Sequence, residues 1–316
     1  LEGGWLEGGQ TAFKKNFYEH CFPNKYFQYL WPSFIKTKNM TFFERMSSGW
    51  QLAKLSYQTI NENRTLLLFP VFSTIALIVV LATFFGGTFV LVGEEIETLM
   101  NDEQYGGLLG YGLIFLYYLI SFFIIVFFNT ALIHCAIKIL NGEQTDLGDG
   151  ISFAWSRIGK ILAWSALSAT VGTLLQVLQE TGKIGQIIAS LIGVAWSILT
   201  FFVVPVLVYE DRSVLDSVKE SGRLMKQKWG ESLSANVSFG LFNFLGIVVS
   251  AAIGIVLAVY VNVVLGIVIG VLLVLLVSTI ATAARSVFVA AVYNHVIGKP
   301  TGNFDGAALD SVFIQK

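Results

Sequence analysis

Six predominantly apolar stretches, each long enough to cross a bilayer, occupy most of this chain. They run from Leu66 to Val92, Leu108 to Leu140, Ile161 to Leu178, Ile184 to Tyr209, Leu233 to Val259 and Val261 to Ile297. About 20 apolar residues span the hydrocarbon core, and each must satisfy its backbone hydrogen bonds within itself or a closed barrel. Stretches this long, with no alternating period, restrict the chain to an all-α polytopic bundle of about six transmembrane helices. Only 13% of residues are charged and the mean hydropathy is +0.70, against about 25% charged in soluble domains.

The net charge of -1 carries little information, but the placement of the cations carries a good deal. Membrane insertion reads Lys and Arg in the short loops flanking each span. Arg45, Lys54 and Arg64 precede the first stretch, Arg157 and Lys160 follow the second, and Arg212, Lys219, Arg223, Lys226 and Lys228 follow the fourth. Lys299 and Lys316 follow the sixth. The intervening loops hold Glu94, Glu95, Glu97, Asp102 and Glu103, then a lone Lys183, then only Tyr260 to Asn262. This alternation predicts that both termini face the cytoplasm.

Residues 1–39 differ from the rest: a Leu-Glu-Gly-Gly repeat is followed by a Phe, Tyr, Asn and Lys-rich stretch without period. They are expected to be a leader or extension outside a single six-span domain of residues 40–316. The alternative is an interfacial anchor using Tyr26, Phe27, Tyr29, Leu30 and Trp31. Cys21 and Cys135 give no disulfide framework, and Cys135 is expected to be a small packing residue.

Three segments have the pattern of helices lying in the membrane plane. From Thr41 to Thr59, Phe42, Met46, Trp50, Ala53 and Tyr57 share a face. From Ser213 onward, Ser213 and Asp216 form a capping box, Leu215, Val218, Gly222, Met225 and Trp229 form one face, and Lys219, Arg223, Lys226 and Lys228 crowd the other. A weaker version spans Leu147 to Lys160. Each segment contains a similar core followed by an aromatic: Gln51-Leu52-Ala53-Lys54 with Tyr57, Arg157-Ile158-Gly159-Lys160 with Trp164, Arg223-Leu224-Met225-Lys226 with Trp229. Each also precedes a pair of spans. The implied unit, one surface helix plus one hairpin, is used three times, as internal repeats are in other membrane folds.

Pro205-Val-Leu-Val-Tyr-Glu210-Asp-Arg-Ser-Val-Leu-Asp216-Ser-Val-Lys-Glu-Ser221-Gly-Arg223-Leu-Met-Lys226 and the tail Gly298-Lys-Pro300-Thr-Gly-Asn-Phe304-Asp305 resemble a family of bacterial integral membrane proteins of unknown function. That family is related to the membrane domain attached to some glycerophosphodiester phosphodiesterases. In it a proline ends a span, an acidic residue follows, and a short amphipathic helix carries a Ser-x-x-Leu core. The resemblance implies a multi-pass protein of the bacterial inner membrane. No phosphodiesterase catalytic domain accompanies it, so no enzymatic activity carries over.

Polar groups inside spans are costly, about 2.5 to 3.5 kcal/mol for a charge at a helix centre on insertion scales, and are therefore the first functional suspects. Arg285 lies late in the sixth stretch, where it is expected to anchor at the interface. His134, Lys138, Tyr293, Asn294 and His295 sit at comparable depth, either as separate anchors or as a polar vestibule. Asn129, Gln176, Asn236 and Asn243 either hydrogen-bond helices together or line a path. Gly266 and Gly270 form a GxxxG spacing that permits close packing on a neighbouring span or on a second protomer. Pro205 is expected to kink or end the fourth span.

With two histidines outside residues 1–39 and no carboxylate in register with either, no metal site or cofactor is expected, and no nucleic-acid partner. No nucleophile–base pair stands out, so an enzyme is not expected. The expected role is a non-enzymatic membrane scaffold or accessory protein at the inner leaflet. Membrane lipid would be its partner, held through Lys219, Arg223, Lys226, Lys228 and Trp229. The alternative is a small transporter or lipid carrier with a path between helical hairpins.

Overall fold

The computed structural model describes residues 42–91, 106–210, 212–227, 229–302 and 304. The extension, the acidic loop Glu94 to Glu103, Lys228 and the tail from Asp305 lie outside the described residues, as do the side chains of Trp229 and Asn236. Every regular element among the described residues is helical: α1 (Phe42–Glu62), a 3-10 turn (Arg64–Leu67), α2 (Leu68–Leu91), α3 (Gly106–Leu140), α4 (Leu147–Ser156) and α5 (Ile158–Glu180). There follow α6 (Lys183–Leu199), α7 (Val203–Tyr209), α8 (Val214–Gln227), α9 (Trp229–Tyr260) and α10 (Val263–Val296). The all-α polytopic bundle is thus what forms.

Among the described residues five helices are long and apolar enough to cross a membrane, and α6 with α7, bent by 42°, is long and apolar enough to make a sixth if taken as one span. The bend is where the expected kink differs from the observed one. Pro205 is the third residue of α7, so its missing N–H falls in the first turn, where no intrahelical partner exists. The break comes one turn earlier, at residues 200–202, where the carbonyl Pro205 would have served is released.

Because spans alternate in direction, the short helices α1, α4 and α8 all collect at one end, here termed the capped end. The opposite, hairpin end carries tight turns. Gly182, at φ +100, precedes α6, and Asn262 caps α10 by accepting from the N–H groups of Val264 (2.9 Å) and Leu265 (3.2 Å).

The three short helices are seated in protein, and this alters the faces expected for them. In α1 the buried residues are Leu52, Ala53, Ser56, Thr59 and Ile60. Trp50 instead stacks on Phe242 of α9 at 3.9 Å, and Tyr57 meets the same ring edge-on. In α8 the buried stripe is Ser217, Glu220, Ser221, Leu224 and Met225, while Leu215 is 61% exposed. A rotation from the most apolar face follows because α8 has to meet the polar break in the fourth span, and small hydroxyl residues do that better than leucine. In the middle unit the Arg157 to Lys160 core straddles the α4–α5 junction, whereas its two counterparts lie inside α1 and α8.

The core sits at the capped end. Phe69, Phe202 and Phe288 are fully buried with Leu132, Ile133 and Leu207. Gly150 of α4 lies where a Cβ would come within 2.6 Å of Phe69 and 2.8 Å of the Cys135 sulfur, so only glycine lets α4 sit this close. Cys135 is buried and accepts from the Thr145 hydroxyl at 3.3 Å.

Candidate functional site

Two polar assemblies arise from this packing. The first is a cavity of about 510 Å³ between α2, α3, the α6–α7 break and α10. One stripe of α10, Ser278, Thr282, Arg285 and Ser286, lines it at helical spacing, opposite Asn129 of α3 and Thr74 of α2. Its apolar wall comes from residues such as Leu77, Phe128 and Leu275. The α6 and α10 helices flank the cavity with no substantial packing between them.

Hydroxyls in the spans turn inward on their own helices. Thr74 donates to the Pro70 carbonyl at 2.7 Å, Thr282 to Ser278 at 2.8 Å and Thr200 to Trp196 at 2.8 Å, which satisfies each hydroxyl proton and leaves its lone pairs facing the cavity. Ser286 donates to the Asn129 side-chain oxygen at 2.8 Å, joining α3 to α10. Arg285 carries the cavity's charge. Its guanidinium lies over the Phe201 ring, 5.6 Å from the centroid, a cation–π geometry. Among the described residues no Asp, Glu, His or Cys lines the cavity.

Arg285, the expected interface anchor, is exposed and lines this cavity. Of the three amides whose side chains are described, Asn129 alone lines this cavity. Gln176 and Asn243 lie elsewhere on α5 and α9, and the Asn243 side-chain oxygen is buried without a partner. Sequence reasoning passed over Ser278, Thr282 and Ser286; their spacing of 4 on α10 in register with Arg285 was the available signal.

The second assembly is a chain of polar contacts at the capped end. His134 Nδ1 lies 2.7 Å from the Tyr209 hydroxyl, and its ring stacks on Phe153 of α4 at 3.9 Å. Tyr293 donates to Glu210 at 3.5 Å. Arg212 joins Glu210 at 2.5 Å and Glu220 at 3.7 Å, and Arg223 closes on Glu220. Lys138 pairs with Asp149 at 2.8 Å, and Asn294 donates to Asn141 and to the Pro300 carbonyl. The Arg223 hydrogen bond holds the Glu220 carboxyl below its ordinary value. The Ser213 and then the Lys219 hydrogen bonds do the same for Asp216.

Ser221 is the structural centre of this end. The break in the fourth span orphans the Phe202 N–H, which donates to the Ser221 hydroxyl at 3.0 Å. Gly222 beside it lies where a Cβ would meet Leu199 at 3.0 Å. The capping box forms, with Ser213 accepting from the Asp216 N–H at 3.2 Å and donating to its carboxylate at 2.7 Å. The expected lipid-facing cations are partly engaged: Lys219 pairs with Asp216 at 3.1 Å and Arg223 with Glu220, whereas Lys226 is exposed.

The Gly266–Gly270 spacing is used inside the chain. A Cβ on Gly266 would fall 2.3 Å from the Ala258 nitrogen, and one on Gly254 would fall 2.9 Å from the Gly270 Cα, so the hairpin α9–α10 is closed by backbone contact.

A bundle of apolar helices with a polar-lined cavity and the helices α1, α4 and α8 over one end defines a class, that of all-α polytopic proteins built like multi-pass membrane proteins. Within it, residues 108–303 match the model of a family of unknown function, DUF6159. The match takes in more than half of the chain, from α3 to the end of α10, and the protein belongs to that family. No curated protein matches the sequence.

Proposed function

We propose that this is a non-catalytic multi-pass protein of the bacterial inner membrane that takes an amphiphile between its hairpins, as a lipid carrier or small transporter does. The observation that carries this is the cavity itself. It is within the roughly 300 to 1,000 Å³ range of ligand pockets, and its lining residues divide between hydroxyl, amide and guanidinium groups and apolar side chains. A wall of that mixed character suits a molecule with a polar head and an apolar chain. The cavity lining supplies no acid, base or thiol nucleophile, which supports binding over chemistry.

The capped end faces the cytoplasm in this proposal, with both termini there. Lys54, Arg64, Arg157, Lys160, Arg212, Lys219, Arg223 and Lys226 all belong to that end and Lys183 alone to the other, which supports the orientation by the positive-inside rule. The relation to the membrane domain of glycerophosphodiester phosphodiesterases is part of the same proposal and rests on residues 205–226.

The test is lipid retention by the purified protein. Extraction and mass spectrometry are expected to find a retained amphiphile, and a cavity-filling double variant, Ser278→Phe with Thr282→Phe, is expected to lose it while eluting as the same species. Equal retention by the filled variant overturns the proposal.

A second reading, a scaffold that organises anionic inner-leaflet lipid, is favoured by the outward position of Lys219, Arg223 and Lys226 on α8. In reconstituted bilayers, a preference of the protein surface for spin-labelled phosphatidylglycerol should fall when Lys219, Arg223, Lys226 and Lys228 are all changed to Gln. An unchanged preference counts against this role.

A further inference from the structure

We infer that Arg285 anchors the anionic head of a phospholipid whose chains run along the cavity's apolar wall; this rests on the amphiphile reading above and names its ligand. The first support is the missing counter-ion. Arg285 is exposed, and cations at membrane depth ordinarily pair with an acid or a backbone carbonyl, yet among the described residues no carboxylate lines this cavity and no ion pair is formed by Arg285. Phe201 covers part of the guanidinium, leaving donors for a planar, two-oxygen acceptor. That is the geometry in which guanidinium binds phosphate.

Depth is the second support. With Asn262 capping α10 at the hairpin end, a rise of about 1.5 Å per residue brings the helix across a hydrocarbon core of about 30 Å near Thr282. Arg285 then lies at the level of phospholipid phosphates, and the stripe from Leu275 to Thr282 lies beside the upper acyl carbons. The remaining turns of α10 enter the buried core of the capped end, where Val287, Phe288 and Ala291 are 0 to 1% exposed.

Selectivity follows from what the cavity lacks. A zwitterionic head brings an ammonium group that needs an anion or an open aromatic face. The lining holds no anion, and the Phe201 face is taken by Arg285 itself. The Asn129 amide, 2.8 Å from the Ser286 hydroxyl, adds a further hydrogen-bonding group to the same cavity. The site is therefore matched to a head with net negative charge, such as that of phosphatidylglycerol.

The experiment is native mass spectrometry on the whole protein, delipidated in mild detergent and then given dioleoyl phosphatidylglycerol, dioleoyl phosphatidylcholine or inorganic phosphate. The wild type is expected to retain one phosphatidylglycerol, preferred over phosphatidylcholine by about tenfold or more, as a charge-assisted hydrogen bond allows. Inorganic phosphate is expected not to displace it. Arg285→Gln should reduce phosphatidylglycerol to the phosphatidylcholine level, and Arg285→Lys, which keeps charge without the fork, should lie between.

Equal retention of the two lipids by the wild type overturns the inference while leaving the amphiphile reading in place; this arm needs no variant to fold. Retention of no lipid at all sinks both. Displacement by phosphate alone assigns the site to a soluble anion and overturns the lipid assignment. An Arg285→Gln protein of lowered stability and unaltered lipid preference makes the residue a structural anchor and also overturns it.

Discussion

The sixth span passes through two different surroundings. From Val263 to Leu276, Val263, Val264, Ile267, Leu272 and Leu276 are all more than half exposed, while Gly266 and Gly270 alone turn inward onto α9. From Ala281 to Asn294 nearly every side chain is buried, five of them alanine. The first half meets one neighbour and offers its bulky face to whatever surrounds the protein. The second half is enclosed by α1, α3 and the 3-10 turn. Both halves are apolar, so hydropathy does not separate them. The difference is size: small residues mark where helices meet, since lipid is as good a solvent for leucine as protein is.

The sharpest way to break this comparison is to cut the same kind of side chain from each region. Phe202→Ala at the capped end removes a fully buried ring and should cost about 3 to 5 kcal/mol. Leu191→Ala or Val264→Ala at the hairpin end should stay within about 0.5 kcal/mol. Thermal unfolding in detergent measures both, and similar costs would mean that the hairpin end is covered by something else.

Gly266→Leu tests the one tight contact of the exposed half. Its side chain would enter the Ala258 backbone, so the hairpin must separate, with an expected cost of about 1 to 3 kcal/mol. Cysteine pairs across α9 and α10 report the spacing directly, and unchanged crosslinking would refute the contact.

Next in size is Ser221→Ala. Its loss leaves the Phe202 N–H buried without an acceptor, worth about 1 to 3 kcal/mol. Hydrogen exchange should quicken at residues 200–203 and leave the hairpin end untouched.

The smallest effect is on pH. Arg223 holds the folded Glu220 carboxyl below its ordinary value, so its contribution is present above the unfolded carboxylate pKa. It is lost as pH falls through the lower folded value. Acidification should thus loosen α8 first, and Glu220→Gln should flatten that part of the profile of unfolding temperature against pH. A profile identical in the two proteins would remove Glu220 from the account.

Helix class, the presence of five or six long apolar helices and the gathering of α1, α4 and α8 at one end were legible because each depends on local quantities: apolar length, cation placement and loop length. The capping box of Ser213 and the closeness of Gly266 and Gly270 to another helix were legible for the same reason. The buried faces of α1 and α8 were not, because the most apolar stripe was taken to be the inward one. In α8 the stripe that packs is chosen by an orphaned N–H on Phe202, which exists only once the fourth span has broken.

Sequence alone therefore determined that this chain forms an all-α bundle with five or six stretches apolar enough to cross a membrane, since the free energy of placing a helix in lipid is summed residue by residue along it. Tertiary structure alone decided that Arg285, Asn129 and Ser286 share a cavity, while Gln176 and Asn243 do not. Their meeting depends on how each helix is rotated about its own axis. Hydropathy is nearly uniform around these helices and cannot set that rotation; packing of glycine, alanine and serine against particular neighbours does.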